Sequence, residues 1–203
     1  MIVERIWTGN AYRNYNYLVA CPESGEALAI DPLDHEKCLN AARVRGWRIT
    51  QVLNTHEHLD HTGGNAHFGK KASIVAHTNV RKRLADKSDT AKEALPVVTF
   101  EDSASVHING EEVRLIYLGP GHTDGDSIIH FTKSGVVHMG DLFFNGRFPF
   151  VDLGSGGDVA GLLKNIEAAL KLIPADAKII PGHGALATKS DLEKYRDMLV
   201  ETT

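Results

Sequence analysis

One twelve-residue stretch constrains this chain more than any other: Asn54-Thr-His56-Glu-His58-Leu-Asp60-His61-Thr-Gly-Gly-Asn65. It follows the apolar run Ile49–Leu53 and packs three histidines and the Asp60 carboxylate, with Glu57 between the first two, into six positions. Residues two apart project to one side of an extended chain, so the pattern predicts that His56, His58 and Asp60 reach one point together. His61 then sits where the chain turns into Gly63-Gly64. A lone histidine is ordinarily a solvated or core residue. Four ligand-type side chains in six positions are costly to bury without a partner that satisfies them all. Imidazole with carboxylate is a zinc-type donor set, and mixing them suits hydrolysis better than the Cys-rich closed shells of structural zinc.

Three later fragments have a common form, a His or Asp in a Gly-rich turn directly after an apolar strand. They are Gly119-Pro-Gly-His122-Thr-Asp-Gly-Asp126, His138-Met-Gly-Asp141 and Pro181-Gly-His183-Gly. Singly, each reads as a turn or a cap. Beside the first cluster they read as further ligands presented at strand ends.

The bulk of the chain sets the frame. Its 203 residues fit one domain, 1–203, and 42% apolar content supplies a sizeable core. A net charge of −4 is the wrong sign for a nucleic-acid partner. The basic cluster Arg81-Lys-Arg83 reads as the solvated face of a helix. No apolar run approaches the roughly 20 residues of a membrane span, and the chain opens without a signal-peptide pattern. Cys21 and Cys38 do not form a disulfide framework. A cytoplasmic protein with no membrane partner is the expectation.

Strands are expected at Val3–Trp7, Asn16–Ala20, Ala27–Asp31, Ile49–Leu53, Ser73–Ala76, Ser105–Ile108, Glu112–Leu118, Ser127–Phe131, Val136–Met139 and Lys178–Ile180. Asn109-Gly110 signals a hairpin. Helices are expected from an Asp34 cap to about Arg45, after Gly64, over Val80–Ala94, over Asp158–Ile173 where apolar residues recur near 3.6 spacing, and from a Ser190 cap to Val200. Leu95–Glu101 reads as a connection. Strand blocks followed by helices indicate a layered α/β fold.

The set His56, His58, Asp60, His61, His122, Asp141 and His183 resembles that of the metallo-β-lactamase superfamily, over essentially the whole chain. The resemblance implies a four-layer αβ/βα sandwich and a dinuclear zinc hydrolase that uses a metal-bridging hydroxide. It places His56, His58 and His122 on a first ion, Asp60, His61 and His183 on a second, and Asp141 as the bridge. It implies two zinc ions per chain, with iron or manganese as alternatives. Two ions sharing a water lower its pKa, so no Ser or Cys nucleophile is needed. Asp60 is the candidate catalytic group that orients the nucleophile's proton. Glu57, Thr62, Thr123 and Asp126 are candidates for outer contacts to the ligands.

Residues 15–65 resemble hydroxyacylglutathione hydrolase (glyoxalase II) in Asn16-Tyr-Leu-Val, Ala29-Ile-Asp31-Pro32 and Thr55–Gly64. From about Ser73 onward, Gly121–Ser127 and Gly140–Gly146 are more similar to metallo-β-lactamase-fold hydrolases of unsettled substrate, a division that a chimeric or engineered chain would also show. Hydrolysis of a small acyl substrate follows, an S-hydroxyacylglutathione-type thioester first. β-Lactam or lactone cleavage is the alternative, and a mono-iron persulfide dioxygenase is more distant. Asp141 stands where common zinc β-lactamases place Cys, which favours the bridged pattern. Arg147, Phe144 and Phe148 are the candidate substrate contacts. Trp7, Tyr12, Tyr15, Phe68 and Phe150 are further candidates for a pocket wall.

Overall fold

The computed structural model describes residues 1–11, 14–108 and 110–202, so Tyr12 and Asn109 lie outside the described residues. The chain divides into two units, Met1–Glu101 and Asp102–Thr203. Each unit is built on one mixed sheet with helices, an α/β architecture.

The first unit's sheet runs in sequence order: β1 (Ile2–Trp7), β2 (Tyr15–Ala20), β3 (Glu26–Ile30), β4 (Arg48–Leu53), β5 (Ser73–His77) and β6 (Val98–Phe100). Strands β1 to β3 pair antiparallel, and β3 to β6 pair parallel. The switch follows from the connections. A tight turn at Pro22–Gly25 returns the chain antiparallel, whereas helix α1 (His35–Val44) carries it back to start β4 beside β3 in the same direction. Asp34 caps α1 by accepting from the Lys37 backbone N–H at 3.0 Å, and Gly46, at φ 70°, follows its end. Cys38 and Ala42 face inward with Leu18, Ala29, Val52 and Ile74.

Three expectations change here. The chain after β4 is not extended: α2 (Leu59–Thr62) takes up Asp60 and His61, while α3 (Asn65–Phe68) starts directly after Gly64 as expected. The helix expected over Val80–Ala94 is α4 (Thr78–Asp86) followed by one 3₁₀ turn at Lys92–Ala94. The segment read as a connection contains the edge strand β6, which gains ladder bonds from β5 that its weak local pattern does not advertise.

The second unit's sheet has the order β11-β10-β9-β8-β7: β7 (Ser103–Ile108), β8 (Glu111–Tyr117), β9 (Ser127–Phe131), β10 (Val136–His138) and β11 (Lys178–Ile180). It is antiparallel except for the parallel β10/β11 pair. The long excursion between those two strands holds α5 (Val159–Leu172), capped by Asp158. Leu162, Ile166 and Ala169 of α5 are buried with Ile128, Val137, Ile179 and Leu192. Helix α6 (Lys189–Thr202) starts ahead of the expected Ser190 cap. Thr188 and Asp191 form the reciprocal box instead, Thr188 N–H donating to Asp191 Oδ2 at 3.0 Å and Asp191 N–H to Thr188 Oγ1 at 3.4 Å. No helix among the described residues is long and apolar enough to cross a membrane.

Candidate metal centre

In the first unit the ligand-type residues emerge from the C-terminal end of β4. His56 is fully buried in the loop, His58 is the residue before α2, and Asp60 and His61 lie in its first turns. One ligand atom of His56 lies within 4.8 Å of one on His58, and the same holds for His56 with His61 and for Asp60 with His61. His61 Nε2 is 3.4 Å from Asp60 Oδ2. The convergence expected of an extended chain is thus achieved by a loop and a helical turn, in which successive residues can face one point.

Much of the first unit's polar interior serves to hold this loop. Asn54 Nδ2 donates to the His61 carbonyl at 3.3 Å, and Asn65 Nδ2 donates to Asn54 Oδ1 at 2.8 Å. Asn14 Nδ2 donates to the Asp60 carbonyl at 2.6 Å. Thr62 Oγ1 donates to the His58 carbonyl at 3.0 Å, tying the start of α2 to its end. Glu57 is buried with Arg83 Nε at 3.6 Å from its carboxylate. Arg83 is therefore not merely part of a solvated basic face.

The residue that sequence reasoning passed over as a structural support is Asp31. Its buried carboxylate accepts from Thr55 N–H at 2.8 Å and from Thr55 Oγ1 at 2.7 Å, and Oδ2 lies 2.9 Å from His61 Nδ1. A carboxylate only accepts, so the proton sits on Nδ1, and Nε2 of His61 is left with its lone pair. Asp31 has φ 46°, the left-handed region, alone among the described non-glycine residues. The sequence signal was there in Asp31-Pro32 closing an apolar strand, but nothing local says what the carboxylate reaches.

In the second unit the ligand-type residues again leave strand ends. His122 follows β8 in a loop pinned by Asp126, whose carboxylate accepts from Thr123 N–H and Oγ1, both at 2.8 Å. Asn165 of α5 anchors the start of that loop by donating to the Gly119 carbonyl at 2.8 Å. His122 Nδ1 lies 2.7 Å from the Phe150 carbonyl, which makes Nδ1 the donor nitrogen and leaves the lone pair on Nε2. Asp141 Oδ2 lies 3.6 Å from His122 Nε2 and 3.2 Å from His183 Nε2. One carboxylate oxygen therefore addresses two imidazoles.

Gly182 makes that approach feasible. A Cβ built there would overlap Asp141 Oδ1 and the Gly140 backbone. Phe144 is buried and stacks on His183 with centroids 5.2 Å apart, so it props a ligand-type ring. Phe148 and Phe150 are exposed, at 68% and 60%. Arg147 lines a cavity of about 370 Å³ with Phe148, Lys194 and Tyr195. In the first unit Trp7 is exposed and packs on Tyr15 at 4.8 Å, whereas Phe68 belongs to the core. In both units, then, buried imidazoles and a carboxylate lie within a few ångströms, each histidine turned by its other nitrogen where a partner is resolved. The donor chemistry fits divalent metal ions with nitrogen and oxygen ligands.

The sequence model of the Metallo-beta-lactamase superfamily matches residues 17–184. The chain belongs to this superfamily. Among curated relatives of this metallo-β-lactamase superfamily chain, the hydroxyacylglutathione hydrolase of Polaromonas sp. strain JS666 is 48% identical over 189 residues, covering 90% of this chain and 66% of the relative. A protein of the same name from Nitrosococcus oceani is 43% identical over 187 residues, again 90% and 66%. The chain thus spans just under two thirds of those relatives, in matches that run across both sequence parts distinguished above. Among solved structures, the BLEG-1 B3 metallo-β-lactamase aligns with a TM-score of 0.80 at 22% identity, covering 98% of this chain and 99% of that one. At that identity the likeness speaks to the fold, and the fold is the metallo-β-lactamase one.

Proposed function

We propose that this chain is a single-domain, metal-dependent hydrolase of a glutathione thioester of the S-hydroxyacyl type, with a dinuclear zinc centre. The observation that carries the reading is the 43–48% identity with two hydroxyacylglutathione hydrolases over about nine-tenths of the chain. The donor set agrees with it. His56, His58 and His122 would hold one ion, Asp60, His61 and His183 the other, and Asp141 would be shared. Bound there, the ions supply an acidified water at neutral pH and polarise the acyl carbonyl.

The chain's own groups then have separable tasks. Asp60 orients the proton of the attacking water. Asp31 and the Phe150 carbonyl set the histidine tautomers. Phe144 keeps His183 from rotating, and Phe148 with Phe150 offers apolar surface beside them. Arg147 supplies positive charge that complements a carboxylate of a glutathione moiety. The substrate is a small molecule, and the cell interior is the compartment where such a thioester occurs.

The test is metal analysis beside a panel of S-lactoylglutathione, a chromogenic cephalosporin and an acyl-homoserine lactone. About two zinc ions per chain with selective thioester turnover, both lost in Asp141→Asn, is the expected result. Preferred cleavage of the cephalosporin or the lactone would overturn the substrate assignment while leaving the hydrolase. One iron and no hydrolysis would overturn both.

A further inference from the structure

A large cavity of the first unit lies at the end of its sheet away from the ligand-type loop. It is a cleft of about 1100 Å³ between α1 and α3, walled by residues 46–50 and 70–72. These are the starts of the parallel strands β4 and β5. The ligand loop leaves the other end of β4, so roughly 17 Å of strand separates the two places at about 3.3 Å per residue. The volume exceeds what a drug-sized ligand needs.

Its lining has two chemical characters. The floor is apolar, with Phe68 buried and Trp47 and Ile49 partly buried, and Leu39 at the edge. The rim carries four cations, Arg43, Arg48, Lys70 and Lys71, and no carboxylate lines the cleft among the described residues. On a chain of net charge −4 this concentration is against the average. Two of the four have engagements on exposed surface, Arg43 with Asn40 Oδ1 at 2.9 Å and Arg48 with Glu26 at 3.0 Å. Exposed pairs of this kind are weak and exchange readily. His67, which also lines the cleft, stacks on His35 with centroids 4.3 Å apart. Its pKa is lowered by burial first, then by His35, Lys70 and Lys71.

We infer that this cleft is a second ligand site, separate from the metal centre, for a nucleoside polyphosphate, with the base against Trp47 and the phosphates among Arg43, Arg48, Lys70 and Lys71. Four cations call for a ligand of several negative charges, and an indole on an apolar floor calls for a planar ring attached to it. A bare anion would leave the floor unused, and a flat anionic surface would not fill a concave site.

The experiment is isothermal titration of the metal-loaded protein with ATP, with tripolyphosphate and with phosphatidylglycerol vesicles. One ATP per chain is expected, bound at least tenfold more tightly than tripolyphosphate. Lys70→Glu/Lys71→Glu should weaken ATP at least tenfold while thioester hydrolysis is unchanged. Trp47→Leu should weaken ATP but not tripolyphosphate. ATP binding that survives the double charge reversal would place the nucleotide elsewhere, on the metal centre for instance, and overturn the inference. Tripolyphosphate as tight as ATP would reduce the site to an anion patch, vesicle binding without ATP binding would make it a membrane contact, and no ATP binding below 1 mM would remove the site; each overturns it.

Discussion

The support that Asp31 gives to His61 can be broken with a change of two atoms' chemistry. In Asp31→Asn the side chain keeps its shape, and Asn tolerates φ 46° as Asp does. The single carbonyl oxygen can still take the Thr55 N–H now held at 2.8 Å by Oδ1. The amide nitrogen then stands where Oδ2 met Thr55 Oγ1 at 2.7 Å and His61 Nδ1 at 2.9 Å. Two donors face each other unless His61 moves its proton to Nε2, and that takes away the lone pair a metal needs. Hydrogen bonds to charged groups contribute about 1.5–3 kcal/mol each, and a buried donor left unmet costs a similar amount. The sum for this site is about 3 kcal/mol in the metal-free protein, with zinc affinity about 10–100-fold weaker. Asp31→Ala should cost about 1 kcal/mol more, because Ala pays the full penalty of the left-handed backbone. Urea unfolding of the metal-free chain, zinc competition titration and the ¹⁵N shifts of the His61 ring read the three effects. An unchanged urea midpoint with unchanged zinc affinity in Asp31→Asn would refute the tautomer argument, and equal stability of the Asn and Ala variants would refute the backbone one.

Other expectations follow from the same geometry. Gly182→Ala would drive a methyl into Asp141 Oδ1 and the Gly140 carbonyl, so metal content should fall and turnover should drop by at least 100-fold, read by elemental analysis and steady-state rates. Ile166→Ala, fully buried on α5, should lower unfolding free energy by about 3 kcal/mol without changing metal content. Chelation should lower the melting temperature of the native protein, because ions bind only the folded chain; an identical melt would argue against occupied sites. In thiol labelling, Cys21 should react well before Cys38. Backbone N–H donation from Ser24 and then Glu23 holds the Cys21 thiol below its ordinary value, whereas burial pushes Cys38 up to about 12. Simultaneous reaction of both thiols would contradict that ordering.

How much of this was legible beforehand differs between elements. Long periodic segments were read correctly: α5 runs within a residue of its expected bounds, and β11 coincides with them, because a 3.6-residue apolar repeat or a short apolar run between turns is a local signal. The edge strand β6 and the start of α6 were misread, since pairing from β5 and a Thr188–Asp191 box are decided by neighbours rather than by intrinsic preference. The ligand-type residues were visible as residue types because so many imidazoles and carboxylates in turns have few other uses. The chain by itself therefore determined which chemistry is available and roughly where strands hand it over to loops. Only the tertiary structure decided that a helical turn, not an extended strand, turns Asp60 and His61 to their neighbours, and that Asp31 and the Phe150 carbonyl choose the tautomers of His61 and His122. It also gathered four scattered cations over one apolar floor. Such contacts join residues up to about thirty positions apart, and no local periodicity records which distant partner a side chain will meet.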